Sequence, residues 1–300
     1  MGSADQMNRT AALQLIRLSF KEDTAQRDVT SRAVIPANAR IRARIVAKAP
    51  GIAAGVRVAA LAFTTFDPSL RCRLHARSGA RFSPGTTILT IKGRARSIFA
   101  AERTSLNLLG HLSGIATLTR AFAERTRGTR AVILDTRKTL PGLRALEKEA
   151  VRAGGGKSHR ANLAEAVLIK TNHLRAKGRG RRAKGNTLIE IAINEAKRVR
   201  PRRFVEVEVV NLREFAAALR ARPDAILLDN WSLRDIRKAV ALRPPSPFAL
   251  HPSPLLEVSG GVTLANVRAI ARTGVDHISI GRLTHSAPAI DLSLEVMGSQ

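Results

Sequence analysis

The 300-residue chain has one cysteine, one tryptophan and no tyrosine, and aromatic residues make up 3% of it. With Cys72 alone, no disulfide can close within the chain and no cysteine-rich zinc site can form. That composition suits a reducing cytoplasm, which is the expected location. The shortage of aromatic side chains removes the stacking platforms on which single-stranded nucleic acids lie. No apolar run reaches the 18 or so residues that a membrane-crossing helix needs, so no membrane partner is expected. The first residues lack the basic-then-apolar order of a secretory signal, and Gln6 stands where an acylation motif starting at Met1-Gly2 wants Ser or Thr.

Acidic residues are also scarce. Asp plus Glu number 23 against 51 Lys plus Arg, leaving a formal charge of +28. A chain this basic favours anionic partners: nucleic acid, acidic lipid, or small phosphorylated and carboxylated ligands. Six of those cations fall within residues 175–184 (Arg175, Lys177, Arg179, Arg181, Arg182, Lys184). Interleaved glycines there predict a mobile, solvated loop rather than a helix face, and nucleic-acid binding is not expected as the main function.

What remains is rich in apolar periodicity, with 44% hydrophobic residues, enough for a sizeable core. Residues 10–21 repeat apolar positions at helical spacing (Leu13, Ile16, Phe20), and from residue 39 the pattern alternates through Ile41, Ala43 and Ile45. Gly51, Gly55, Gly79, Gly85 and Gly93 punctuate short segments, as in an α+β region with an antiparallel sheet. A long helical pattern then runs from Ile98 towards Phe122 and connects two domains.

Beyond Gly128 short apolar strands alternate with helices of roughly 142–153, 187–199, 212–221, 232–241 and 263–273. This order predicts parallel βα units, and with no dinucleotide fingerprint after the first strand it favours a barrel. Nearly every strand stops at a polar or glycine residue: Asp135 to Lys138, Lys170, Asp229-Asn230, Ser259-Gly260-Gly261 and Gly281. In an α/β barrel those ends converge on one face, where the active site is built. Glu206 and Glu208, two apart on one strand, point the same way. That way is either into the barrel mouth or out from a solvated edge strand.

The convergent set is therefore Arg137, Lys138, His159, Arg160, Lys170, Glu208 and Asp229, with glycine turns at 260–261 and 281. Cations, two carboxylates suited to a divalent ion, and free backbone amides together describe a site that grips a polyanion at several points.

The order of these segments resembles the quinolinate phosphoribosyltransferases. The matching residues are Glu102-Arg103-Thr104, Leu112-Ser113-Gly114, Asp135-Thr136-Arg137-Lys138, Gly154-Gly155-Gly156 with His159-Arg160, and Lys170 with Asn172-His173. They continue through Glu206-Val207-Glu208, Leu228-Asp229-Asn230, Ser259-Gly260-Gly261 and Leu283-Thr284-His285, so the resemblance covers nearly the whole chain. It implies an N-terminal α/β sandwich (1–115), an open α/β barrel (116–285) and a C-terminal segment (286–300) returning to the first domain.

The resemblance also implies transfer of phosphoribosyl from phosphoribosyl pyrophosphate to quinolinate, with Mg²⁺, giving nicotinate mononucleotide, pyrophosphate and CO₂. A homodimer is implied in which Arg103 reaches the neighbouring site. Arg103, Thr136, Arg137, His159, Arg160 and Lys170 are then expected around quinolinate. Lys138 and Lys170 are expected at the pyrophosphate and ribose oxygens, and Glu208 and Asp229 on the metal, directly or through water. Ser259, Gly260, Gly261, Ser279 and Gly281 fall at the 5′-phosphate. Two positions depart from the family pattern: Ser158 replaces the usual Asn, and Thr171 the usual acid. A paralogous pyrophosphorylase-like protein with another acid or base as substrate, and a catalytically lost nucleic-acid-binding protein, are the alternatives.

Overall fold

The computed structural model describes residues 9–178, 186–243 and 253–297. The chain divides into two compact units that are not contiguous in sequence. The first comprises residues 1–120, 138–157 and 281–300, and the second 121–137 and 158–280.

In the first unit, α1 (Arg9–Glu22) and the short α2 (Val29–Val34) precede β1 (Arg40–Ala47) and β2 (Gly51–Ile52). They are followed by α3 (Val56–Phe66), β3 (Arg71–Leu74), β4 (Arg81–Phe82), β5 (Thr87–Arg94) and the 31-residue α4 (Ala95–Arg125). Helix α3 lies where the sequence suggested only short alternating segments. Gly55 starts it in a left-handed conformation (φ 79°), and its alanines allow Val56, Val58, Ala62 and Phe63 to bury at close range. The antiparallel sheet has the order β12-β1-β5-β3, β12 (Leu292–Val296) being the last strand of the described chain. Ile41, Ala43 and Ile45 alternate along β1 with Arg40, Arg42 and Arg44, so one face packs on the helices and the other faces out. Residues 288–290 can pass close to α4 because Gly114 has no side chain: a Cβ there would lie 2.1 Å from the Pro288 carbonyl oxygen. Gly114→Ala should therefore push two backbones apart and cost about 2 kcal/mol, read as a lower unfolding midpoint.

The second unit carries the parallel sheet. Its strands are β6 (Val132–Leu134), β7 (Ala166–Ile169), β8 (Phe204–Val209), β9 (Ala225–Asp229), β10 (Leu255–Ser259) and β11 (His277–Ser279). They are ordered β6-β11-β10-β9-β8-β7. Sequence neighbours are spatial neighbours throughout, except that β6 pairs with β11 and not with β7. This is a barrel left open at one seam. Between the strands run α5 (Arg144–Gly154, in the first unit), α6 (Thr171–Gly178), α7 (Asn186–Ala196), α8 (Leu212–Ala221), α9 (Leu233–Leu242) and α10 (Val267–Ala271); α11 (Arg282–His285) follows β11. Helix α6 corrects the loop expected over the basic run, since Arg175 and Lys177 are helical and Lys177 is ion-paired to Glu195 on α7. The later cations of the run, Arg179 to Lys184, lie outside the described residues. Among the described residues no helix is long and apolar enough to cross a membrane.

Candidate active site

Register places the strand ends of the second unit at one level. Leu134, Ser279, Ser259 and Asp229 form one continuous row across β6, β11, β10 and β9. Two residues deeper, His277, Glu257, Leu227 and Glu208 form another. Because side chains alternate across a strand, acids two residues apart share a face, and Glu206 lies below Glu208 on the inner side of β8. Glu206 is buried and Glu208 half-buried. The solvated-edge alternative for this strand is thereby excluded.

The deepest group of the site is His159 with Glu206 and Glu257. The His159 backbone N–H donates to Oδ1 of the fully buried Asp135 at 2.9 Å, anchoring the segment after α5 to the end of β6. Its ring Nδ1 accepts the Arg160 backbone N–H at 2.8 Å. That leaves Nε2 to carry the proton and donate to Glu206 Oε2, 2.9 Å away, so the network assigns the tautomer. Glu257 Oε1 lies 3.7 Å from the same nitrogen. Burial, and then the charge of Glu206, push the Glu257 carboxyl up to about 8. Two carboxylates this close inside a protein do not both ionise. Glu206 is the charged acceptor and Glu257 holds a proton.

Above this group stand the arginines. Burial and the Arg137 guanidinium push the Arg160 pKa down, while Glu206 draws it up, so the three charges share one neighbourhood. Arg160 also donates to the Ala166 carbonyl at the start of β7, 2.9 Å away, which fixes the base of its side chain's reach. Thr136 follows Asp135 at the exit of β6, half-buried.

On the other flank, Lys170 Nζ is 3.6 Å from Glu208 Oε2. Thr171 donates to Glu208 Oε1 from its hydroxyl at 2.7 Å and from its backbone N–H at 3.2 Å. Burial raises the Glu208 pKa, but the two Thr171 bonds and the Lys170 charge outweigh it and hold the carboxylate below its usual range. The departure at Thr171 thus has a structural role, because a hydroxyl can donate to Glu208 where an ionised acid cannot. Thr171→Val should remove one charge-assisted bond of about 1.5 kcal/mol and move the acid limb of the pH–rate profile upward. An unmoved limb would separate Glu208 from the reaction.

Asp229, half-buried, ends β9 and precedes Asn230, which takes a left-handed backbone (φ 58°). Its neighbour across the gap is Gly260 (φ 88°), where a Cβ would fall 2.2 Å from the Asn230 Oδ1. Only glycine fits there, at the turn where β10 ends. Ser279 is buried, with its hydroxyl turned inward to Glu257. Ser158 is exposed just before His159.

Three expected residues belong to the first unit. Arg103 is exposed on α4. The Lys138 carbonyl accepts from the Thr284 hydroxyl at 2.7 Å, and a Cβ on Gly281 would lie 3.0 Å from Lys138 Cδ, so that glycine leaves room for the lysine stem. A cavity of about 630 Å³ also lies in this unit, bordered by Gly55, Arg57, His75, Leu112 and Glu149, and none of the strand-end residues lines it.

Two groups escaped the sequence reading. Asp135 entered it only as a motif letter, and Glu257 not at all. The signal for Glu257 was the one Glu206 also carries, an acid in mid-strand flanked by buried aliphatics, as in Leu256-Glu257-Val258. Among the described residues, His159, Glu206 and Glu257 are also the one histidine–acid trio close enough to hold a metal ion. The proton-sharing arrangement accounts for that closeness without one.

Comparison with known proteins gives a consistent result. Residues 28–113 match the quinolinate phosphoribosyl transferase N-terminal domain, and residues 115–295 its C-terminal domain. A nicotinate-nucleotide pyrophosphorylase (carboxylating) of Mycobacterium leprae is 40% identical over 95% of this chain and 97% of its own. A quinolinate phosphoribosyltransferase (decarboxylating) of Nicotiana tabacum is 38% identical over 94% of this chain and 81% of its own. The solved nicotinate-nucleotide pyrophosphorylase of Francisella tularensis superposes with a TM-score of 0.87 at 34% identity, covering 99% of this chain and 100% of that one. By sequence and by architecture, this chain belongs to the quinolinate phosphoribosyltransferase family.

Proposed function

We propose that the chain transfers the phosphoribosyl group of phosphoribosyl pyrophosphate to quinolinate with decarboxylation, as a cytoplasmic enzyme of de novo NAD biosynthesis. The observation that carries this reading is the gathering of Arg137, Arg160 and His159 over buried Glu206, beside Glu208 and Asp229 at neighbouring strand ends. Quinolinate carries two carboxylates, which planar guanidinium groups grip in two-point fashion. Glu206 and Asp135 hold the His159 ring and backbone, so the imidazole meets the ligand in one orientation. Lys170 and Lys138 supply point charges for pyrophosphate and ribose oxygens. The Gly260 and Gly261 amides suit the 5′-phosphate.

Glu208 and Asp229 offer hard oxygen ligands, and the Thr171 bonds keep Glu208 ionised. Two carboxylates, with the remaining positions filled by water and substrate phosphates, is the way Mg²⁺ is usually held. When bound, Mg²⁺ would neutralise charge on the departing pyrophosphate. The ring nitrogen of quinolinate forms a bond to the anomeric carbon as the bond to pyrophosphate breaks. CO₂ then leaves from the carbon next to that nitrogen, and the electron pair left on that carbon takes up one proton from water. Little proton transfer is required, so positioning and electrostatics supply the acceleration. In a homodimer, the exposed Arg103 would complete the neighbouring pocket.

A turnover assay with phosphoribosyl pyrophosphate and Mg²⁺, offering quinolinate and nicotinate in parallel, tests this directly. Nicotinate mononucleotide and CO₂ from quinolinate alone are expected. Product from nicotinate, or from neither acid, would move the function to a paralogous reaction.

A further inference from the structure

The two carboxylates proposed to seat Mg²⁺ are held very differently. Thr171 and Lys170 fix that of Glu208. Among the described residues none makes a hydrogen bond or ion pair to the Asp229 carboxylate, so its place is set by the backbone that carries it. That backbone is tied to the sheet on one side only. Strand β9 pairs with β8 as far as Val209 and Leu228, whereas Asp229 pairs with Ser259 on β10 and with nothing on β8. The Asn230 N–H donates to the Ser259 carbonyl at 2.9 Å, again on the β10 side, and the left-handed Asn230 then turns the chain.

On the β8 side the tie is Trp231. Its indole Nε1–H donates at 2.9 Å to the carbonyl oxygen of Val209, the residue after Glu208. Its ring meets that of the fully buried Phe215 on α8 edge to face, with centroids 6.1 Å apart. Packing alone does not ask for an indole here, because Trp231 is half-buried and a phenylalanine ring could make the same edge contact. What the indole adds is a donor, and it is spent on the strand end beside a site residue.

We propose that Trp231 is a positioning residue: its indole N–H ties the end of β8 to the turn after β9, and so fixes the separation of the Glu208 and Asp229 carboxylates for a divalent ion. The inference rests on the reading of those two acids as the Mg²⁺ carboxylates. Mg²⁺ demands near-ideal octahedral geometry, so it tolerates little error in that separation. Ligands left unsupported by their surroundings lose function through displacements of about 1 Å.

Trp231 is the one tryptophan of the chain, so the donor can be changed alone. Biosynthetic replacement by benzothienylalanine puts sulfur where the N–H stood and keeps the size of the ring. Trp231→Phe is its genetic counterpart, and Phe215→Leu removes the aromatic contact while leaving the N–H. The measurement is isothermal titration of the full-length protein with phosphoribosyl pyrophosphate, once with Mg²⁺ and once with a chelator. Quinolinate is absent, so nothing turns over and affinity is read apart from activity. In the unaltered chain Mg²⁺ should tighten binding, and Asp229→Ala should remove that gain. Both replacements of the indole N–H should shrink the gain about tenfold, the size of one lost hydrogen bond, and leave affinity in the chelator within about twofold. Phe215→Leu should lower the unfolding midpoint and keep the full gain, which separates positioning from packing. An undiminished gain in the benzothienylalanine protein, or an equal loss in Phe215→Leu, would overturn the proposal and leave the metal reading intact. If Mg²⁺ brought the unaltered chain no gain, or Asp229→Ala kept it, the metal reading would fall and the proposal with it.

Discussion

Asp229→Ala and Lys138→Ala should each lower turnover about a thousandfold while leaving the circular dichroism spectrum unchanged. The size follows from the chemistry, in which the developing charges are met by fixed groups and little else. Losing one preorganised electrostatic contact typically costs 10²–10³ in kcat. Asp229 stands at the end of β9 next to Ser259 on β10, and neither its backbone register nor its half-exposed position asks for a carboxylate on structural grounds. Lys138 is exposed, and its backbone carbonyl is held by the Thr284 hydroxyl. The loss should therefore appear in kcat rather than in stability, with Asp229→Ala also raising the Mg²⁺ concentration needed for half-maximal rate. Near-normal turnover in either variant would mean that the assigned residue does not touch the reacting groups.

Strand ends were legible because two periodicities coincide there. The runs of β6, β7 and β9 are apolar until the polar residue that ends or follows them, and that of β10 is so apart from Glu257; this terminal polar residue is the one the barrel places at its mouth. Asp229 and Ser259 follow that rule. Glu206 was visible only as the inner member of an alternating pair, and its meaning depended on which face was inside. Glu257 was illegible for a different reason. It meets Glu206 across two strands, and no local pattern carries a contact at that sequence separation. Thr171 looked like a loss of chemistry, since its hydroxyl acts through a bond to Glu208, 37 residues away. Helix α6 was missed because glycine and charge density argued for a loop, whereas helical residues 175 and 177 gain a partner in Glu195 through packing on α7.

Glu257→Gln should remove most of the pH dependence of stability between pH 6 and 8. The folded chain holds the Glu257 proton up to about 8, against an ordinary value of 4.5 for an exposed glutamate. Folding therefore takes up a proton over this window, and stability falls as pH rises from 4.5 towards 8. The loss amounts to about 2 kcal/mol between pH 6 and pH 8 for a single group behaving in this way. Glutamine keeps the shape and one donor, so the hydrogen bonds that the protonated carboxyl makes with Glu206 and Ser279 can be retained without any charge to bury. Unfolding midpoints of the two proteins should thus agree near pH 6 and separate by pH 8, with the variant the more stable. Activity should survive at pH 7, because the ionised partner of His159 is Glu206 and remains in place. Glu257→Ala should behave in the opposite manner at every pH: it leaves a void beside Glu206 and costs about 2–4 kcal/mol. If Glu257→Gln kept the full pH slope, the proton would reside elsewhere in the cluster. His159 would then be the charged member, and the tautomer that orients it towards the substrate would have to be reassigned.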